Sequence, residues 1–267
     1  MKLDGYLEFA KGVAYEAGEI MRKYFNQDRE DWYKSDNTLV TVADEEINNM
    51  VIERVREMYP EHGVFGEESS ENVDREYLWL CDPIDGSDMF ARGVPVAVFS
   101  LALVIDGDPV VGVIYDPFCD KLYYAVKGQG AFCNDRSIHV NDVRLGDKKE
   151  IINTDVWWVE GLISNPLPIV NKLYEISNWP ASIGSVARSA TLVADGGFAA
   201  TIFTWNKAKS VDVAAAKVIV EEAGGRATDV FGNNQRYDKD IRGTIMSNGM
   251  VHGDIVQIFK EEVGGEK

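Results

Sequence analysis

The chain has 267 residues, 45% hydrophobic and 27% charged, which suits one large or two small globular domains and excludes a disordered, collagen-like or coiled-coil array. Its 44 Asp and Glu outnumber its 27 Lys and Arg, giving a formal charge of −17 and a pI near 4.6. A surface of that sign repels phosphate backbones and anionic lipid, so neither a nucleic-acid polymer nor a membrane is expected as a partner.

Apolar residues at Leu3, Leu7, Ala10, Ala14, Ala17, Met21 and Tyr24 recur in steps of three and four, which predicts an amphipathic helix ending before the polar stretch 26–31. These residues contain no basic-then-apolar leader, and no apolar run approaches the roughly 18 residues that a membrane helix needs. Cys81, Cys119 and Cys133 form neither a C-x-x-C pair nor an even disulfide set, so a reducing, cytoplasmic setting is expected. A second helix is predicted from Ile47, Val51, Val55 and Met58, stopped by Pro60, and Thr41-Val42-Ala43-Asp44 before it has the pattern of a capping box.

The period then changes. Residues 78–81, 96–105, 110–115 and 121–126 read as short strands, with Asp106-Gly107-Asp108-Pro109 joining two of them in a hairpin. The polar stretch 141–150 marks a boundary, dividing the chain into halves 1–145 and 146–267. Beyond it come a strand at 151–153, helices near 169–177 and 185–194, a strand at 198–203, a helix at 210–223 ended by Gly224-Gly225, and a last helix at 253–262. Such a mixture predicts α/β layers around a sizeable core.

Four stretches carry chemistry. Gly66-Glu67-Glu68-Ser69 follows the apolar pair Val64-Phe65, and adjacent glutamates there are ordinarily solvated charge. Asp82-Pro83-Ile84-Asp85-Gly86-Ser87 follows the apolar run 78–81; read plainly it is a polar strand-end turn. It also aims two carboxylates and a backbone carbonyl at one point, a donor set suited to a hard cation such as Mg2+. The N–H groups of Gly86 and Ser87 just beyond could open a helix and bind an anion. Ser210-Val211-Asp212-Val213 opens an apolar helix, where an acid complements the helix dipole. The fourth stretch runs from Lys34 through Leu39-Val40-Thr41 to Asp44, whose capping role is an explanation in itself.

In this order and with these flanks, the stretches resemble the inositol monophosphatase family of Mg2+-dependent, lithium-sensitive phosphatases. G-E-E-S at 66–69, D-P-I-D-G-S at 82–87, D-x-A-A at 212–215 and E-A-G-G at 222–225 match its hallmarks, as do the block 34–44 and Gly184-Ser185-Val186-Ala187. The resemblance spans essentially the whole chain. It implies a sugar-phosphatase fold of alternating αβαβα layers, with most metal ligands in the N-terminal half and Asp212 in the C-terminal half.

It further implies that Glu67, Asp82 and the Ile84 carbonyl hold a first Mg2+, and that Asp82, Asp85 and Asp212 hold a second. A weaker third ion would sit near Glu67, and Mn2+ is an alternative metal. Ser87, where the family has Thr, would pair its hydroxyl with Asp44 and, with Glu67, help deprotonate the attacking water. Metal-activated water would thus attack in line, with no phosphoenzyme. Substrate contacts would come from Asp85, Gly86, Ser87, Gly184, Ser185, Val186 and Asp212. A homodimer is the family's usual arrangement.

The substrate pocket departs from inositol-preferring relatives. Seven residues before Asp212, where those relatives carry a Glu for ring hydroxyls, this chain has Trp205, which can stack on a ring but cannot accept a hydrogen bond. Lys207 and Lys209 would bring positive charge near the entrance, or simply lie solvated in a loop. The expected function is hydrolysis of a small polyol or sugar phosphate of the inositol monophosphate type. Fructose 1,6-bisphosphate, histidinol phosphate and adenosine 3′,5′-bisphosphate stay open as substrates. A non-catalytic metal- or phosphate-binding protein is the rival of another class, and the filled ligand positions speak against it. His62, His139 and His252 are scattered without zinc spacing.

Overall fold

The computed structural model describes residues 3–25, 32–33, 39–155, 167–204 and 210–263. The first helix, α1 (Asp4–Tyr24), buries the predicted stripe, including Ala10, Ala14, Ala17 and Met21. After the two-residue strands β1 (Trp32–Tyr33) and β2 (Leu39–Val40), α2 (Val42–Met58) starts on Thr41. There Thr41 and Asp44 cap each other reciprocally, as their spacing predicts.

The larger sheet is built from β3 (Gly63–Gly66), β4 (Ser70–Glu71), β5 (Tyr77–Asp85), β6 (Val98–Ile105), β7 (Asp108–Asp116), β8 (Lys121–Val126), β9 (Ala131–Cys133) and β10 (Arg136–Ile138), with the short helix α3 (Ser87–Ala91) between β5 and β6. Its spatial order is β10-β9-β8-β7-β6-β5-β3-β4, antiparallel throughout except between β3 and β5. The expected hairpin is the β6–β7 turn. Ile105 pairs with Asp108, leaving Asp106 and Gly107 as a two-residue loop with both residues at positive φ, the geometry that an Asp-Gly pair favours.

The second half of the chain supplies β11 (Ile152–Asp155), α4 (Leu167–Ile176), β12 (Pro180–Ala181), α5 (Val186–Ala194), β13 (Ala200–Phe203), α6 (Ala214–Glu222), β14 (Arg226–Thr228), β15 (Thr244–Ser247) and α7 (His252–Val263). Its five strands lie in the order β12-β11-β13-β15-β14, with β11 parallel to both its neighbours. The helix expected over 210–223 is broken: a 3₁₀ turn (Ser210–Asp212) packs on β5 and β6, Val213 leaves helical geometry at φ −127, and α6 begins only at Ala214.

Five layers result. One face of the larger sheet, with Trp79, Cys81, Phe99 and Leu101, packs on α1 and α2. Its other face, with Leu80, Ala102, Ile114 and Ala125, packs on α5 and α6, which also cover Phe203 and Met246 of the smaller sheet. The outer face of the smaller sheet, with Ile152, Ile202 and Ile245, is covered by α4 and α7. The αβαβα order expected from the resemblance is therefore the fold of this protein. The central helix α6 is apolar on nearly every side, as a helix between two sheets must be. It lies close on β7 because Gly112 has no side chain: a Cβ there would stand 2.5 Å from the Ala215 carbonyl oxygen.

Candidate active site

β5 runs in the interior of the larger sheet, and its ladder to β6 slips between the pairs Asp82–Ser100 and Asp85–Val98. The slip follows from Pro83, which has no N–H to give to the ladder. Asp82 and Asp85 flank this bulge and both are buried. Asp82 Oδ1 accepts the Ile84 N–H at 3.1 Å, closing the turn on itself.

Three other elements bring acids toward Asp82. Glu67 follows β3, with its N–H on the Cys81 carbonyl at 3.1 Å, so the Glu67-Glu68 turn is tied to β5. Asn48, on α2, ties the same turn by donating its amide to the Ser69 carbonyl at 3.0 Å. Asp212 comes from the 3₁₀ turn packed on β5, and Asp44 from the first turn of α2. Asp82 is 2% exposed, and burial pushes its carboxyl well above the usual range; Glu67, Asp85, Asp212 and Asp44 push it further, in that order. The five acids singled out by sequence thus act on one another in one place.

Asp44 is pushed up to about 7, mainly by burial, with Thr41 donors pulling it down and Glu67 and Glu68 raising it. Its Oδ2 takes both the Thr41 hydroxyl, at 2.6 Å, and the Thr41 N–H, at 2.9 Å. Among the described residues nothing donates to its Oδ1, and the expected bond from the Ser87 hydroxyl is not formed.

Asp85 is pushed up to about 6 by burial, against the pull of hydrogen bonds from Ser185, Ala187 and Val186, while Asp155 raises it. Those bonds are specific. The Ser185 hydroxyl and the Ala187 N–H, the latter at 2.7 Å, donate to Oδ2, and the Val186 N–H donates to Oδ1 at 3.3 Å. Gly184, Ser185 and Val186 do lie at the start of α5, but the anion that this helix end holds is Asp85 itself. Gly184 and Gly86 meet where the two sheets' loops touch. Gly86 turns at φ 92, and a Cβ on it would stand 3.0 Å from the Gly184 carbonyl oxygen, so only glycine serves there. The Met89 and Phe90 N–H groups both close on the Gly86 carbonyl at 2.9 Å, leaving the Ser87 and Asp88 N–H groups at the open start of α3.

The acids gathered around Asp82 offer oxygen donors, which fit a hard divalent cation rather than zinc or a redox metal. Two hydroxyls support that fit. Ser100, across the ladder from Asp82, and Ser210, two residues before Asp212, are both fully buried, and neither hydroxyl finds a partner among the described residues. Among the described residues, no three His, Cys, Asp or Glu side chains are already drawn together as a finished metal site.

Trp205, Lys207, Lys209 and Lys34 lie outside the described residues. Glu222, of the late E-A-G-G stretch, serves structure: its carboxylate accepts the Gly128 and Gly130 N–H groups at 2.7 and 2.8 Å. His62 is likewise structural, accepting the Trp79 indole N–H at 3.1 Å. Sequence reading misses Asp155. Its carboxylate accepts the Ser182 hydroxyl at 2.8 Å, the Gly184 N–H at 3.1 Å and the Asn153 amide at 2.8 Å, and so shapes the loop that leads into α5. A lone Asp at a strand end has no spacing signal by which to find it.

The layer order is that of a phosphatase fold. The chain belongs to the inositol monophosphatase family, whose profile matches residues 2–263, and it hydrolyses phosphate monoesters. It is 29% identical over 269 residues to an inositol monophosphatase of Mesembryanthemum crystallinum, covering 97% of each chain. It is 31% identical over 233 residues to a fructose-1,6-bisphosphatase/inositol-1-monophosphatase of Thermotoga maritima, covering 85% of this chain and 86% of that one. Among solved structures, a Thermotoga maritima IMPase superposes with a TM-score of 0.87 at 26% identity, covering 97% of this chain and 98% of the other. Among the described residues no helix is long and apolar enough to cross a membrane.

Proposed function

We propose that this phosphatase is Mg2+-dependent and acts on a small polyol or sugar phosphate of the inositol monophosphate type, by attack of water on phosphorus without a phosphoenzyme. One observation carries the reading: Asp82 is buried among four further acids whose crowded charges bound cations would offset. Glu67, Asp82, Asp85, Asp212 and the Ile84 carbonyl would hold two or three Mg2+, or Mn2+. Bound there, the metal would supply positive charge and polarise the phosphoryl group.

The chain's own residues do the rest. The N–H groups of Gly86 and Ser87, the latter at the open start of α3, receive the phosphate. Glu67 takes a proton from the attacking water at its carboxylate, aided by the Ser87 hydroxyl, with Asp44 Oδ1 open to accept behind it. The start of α5 holds Asp85 in place, so Gly184, Ser185 and Val186 approach the substrate as the wall beside that anchor. The halves 1–145 and 146–267 divide the work, the second contributing Asp212 and the anchor. We expect lithium inhibition, a cytoplasmic setting and a homodimer.

The substrate range is set by the segment around Trp205, Lys207 and Lys209. Trp205, in place of a hydroxyl-binding Glu, supports a pocket broader than inositol alone, and the Thermotoga maritima relative is named for two activities. A phosphate-release screen with Mg2+ over inositol 1-phosphate, fructose 1,6-bisphosphate, histidinol phosphate and adenosine 3′,5′-bisphosphate tests this. Turnover of the first two above the others is expected. Absence of turnover with both Mg2+ and Mn2+ removes the metal reading, and a trapped phosphoaspartyl enzyme removes the water mechanism.

A further inference from the structure

Ser100 lies in the middle of β6, whose residues otherwise read Val-Phe-…-Leu-Ala-Leu-Val-Ile. It is the one polar side chain in that strand, wholly buried, and its hydroxyl has no hydrogen-bond partner among the described residues. An apolar side chain would sit there at lower cost unless an acceptor waits nearby.

The register shows what acceptor is in reach. Strand alternation puts Ser100 on the same face as Val98, Ala102 and Val104, the face covered by α5 and α6. On one side its direct cross-strand neighbour is Ile114, which offers no side-chain acceptor. On the other it is Asp82. Directly opposed side chains stand about 4.5–5.5 Å apart at Cβ, so a hydroxyl and a carboxylate oxygen placed this way need only a side-chain rotation to meet. Asp82 has an oxygen to spare: Oδ1 accepts the Ile84 N–H at 3.1 Å, and no described residue donates to Oδ2.

We propose that Ser100 is a positioning residue for Asp82, its hydroxyl donating to Asp82 Oδ2 and holding the carboxylate in the orientation a divalent cation requires. This rests on the metal reading of the previous subsection. Donors behind a ligating carboxylate fix its direction and raise affinity, and losing one typically weakens metal binding tenfold to a hundredfold. A hydroxyl that stands idle in the metal-free protein contributes nothing to that state's stability.

The experiment compares the full-length wild type, Ser100→Ala and Asp82→Asn after chelation, by calorimetric titration with Mn2+ and by thermal unfolding in chelator. Ser100→Ala is expected to bind Mn2+ about tenfold more weakly while unfolding at the same or a higher temperature without metal. Equal Mn2+ affinity in Ser100→Ala and wild type overturns the proposal, leaving Ser100 an ordinary core residue. Weaker binding together with a lower metal-free unfolding temperature also overturns it, because the hydroxyl then serves the fold. A wild type that binds no Mn2+, or an Asp82→Asn that binds as tightly as wild type, defeats the metal reading itself and is distinguishable from either result.

Discussion

Asp82 on β5 and Asp116 at the end of β7 lie two strands apart in one sheet, and both are buried. Their company is opposite. Asp116 Oδ1 takes the Phe118 and Cys119 N–H groups, each at 2.9 Å, and its Oδ2 faces Arg188 Nε at 3.3 Å, an ion pair without hydrogen-bond geometry. Asp82 has one N–H donor and four acids around it. Asp229 repeats the Asp116 pattern, with the Phe231 and Asn233 N–H groups on Oδ1 at 2.9 and 2.8 Å. Burial therefore does not separate a structural acid from a functional one. Surroundings do: Asp116 and Asp229 are met by donors and hold the chain together, Asp82 is met by other carboxylates and waits for a cation, and Asp85 has both kinds of company.

The sharpest break of that contrast is Asp82→Asn against Asp116→Asn. Asp82→Asn should lower Mg2+-dependent kcat/KM by roughly a thousandfold or more, since the cations' stabilisation of transition-state charge amounts to several kcal/mol. Its unfolding temperature in chelator should hold or rise, because a carboxyl already pushed far up loses little on becoming an amide. Asp116→Asn should do the reverse. Removing the charge opposite the mostly buried Arg188 should cost about 3 kcal/mol of stability by urea unfolding, with kcat within a few-fold of wild type. A stable Asp116→Asn, or an Asp82→Asn that unfolds early, would erase the distinction.

A buried base tests the same rule from the other side. His252 sits between Thr228 Oγ1, 2.9 Å from Nε2, and Ser247 Oγ, 2.8 Å from Nδ1. Thr228 gives its only hydroxyl proton to the Asp229 carbonyl, so it accepts from Nε2–H, and Nδ1 is left to accept from Ser247. That arrangement suits a neutral ring, and burial, with Arg226 behind it, pushes the imidazole down to about 4. Between that value and the unfolded pKa of about 6.5, the unfolded chain binds the extra proton, so stability is full above pH 6.5 and falls as pH drops. Urea unfolding at pH 7 and pH 5 should show about 2 kcal/mol more acid loss in wild type than in His252→Gln. Asp44 and Asp85, raised to about 7 and 6, act in the opposite sense in the metal-free protein but equally in both variants, so the difference isolates the ring.

How much of this is legible without coordinates depends on the range of the interaction. α1, α2, α5 and α7 follow from periodicity and capping, and the β6–β7 turn from Asp-Gly, because each signal is local. The strands β4, β9, β10 and β12 have two or three residues each, too few to show a period, and the sheet around them is what makes them strands. The acids at 82, 85 and 212 stand out through their motifs. What those motifs do not carry is the bond between Asp85 and the start of α5, made across 100 residues of chain, or the pairing that sets Ser100 against Asp82. The Asp44–Ser87 bond implied by resemblance also goes unformed: the cap on Thr41 takes Asp44 Oδ2, and Oδ1 stands open without the Ser87 hydroxyl on it.

Ser185 separates two roles that the sequence alone leaves merged. Its hydroxyl donates to Asp85 and accepts the Arg188 N–H at 3.2 Å, so it is both the cap of α5 and part of the anchor. Ser185→Ala should therefore cost about 1 kcal/mol of stability, the ordinary loss for a helix cap. The kinetic consequence depends on which neighbour the hydroxyl serves. If it holds a metal-binding carboxylate, the Mg2+ concentration for half-maximal rate rises several-fold while KM for the phosphate ester, measured at saturating Mg2+, stays put. If it touches the substrate, as the helix-start reading implies, KM rises and the Mg2+ dependence does not move. The geometry favours the first outcome, because the hydroxyl's one proton is already given to Asp85 Oδ2.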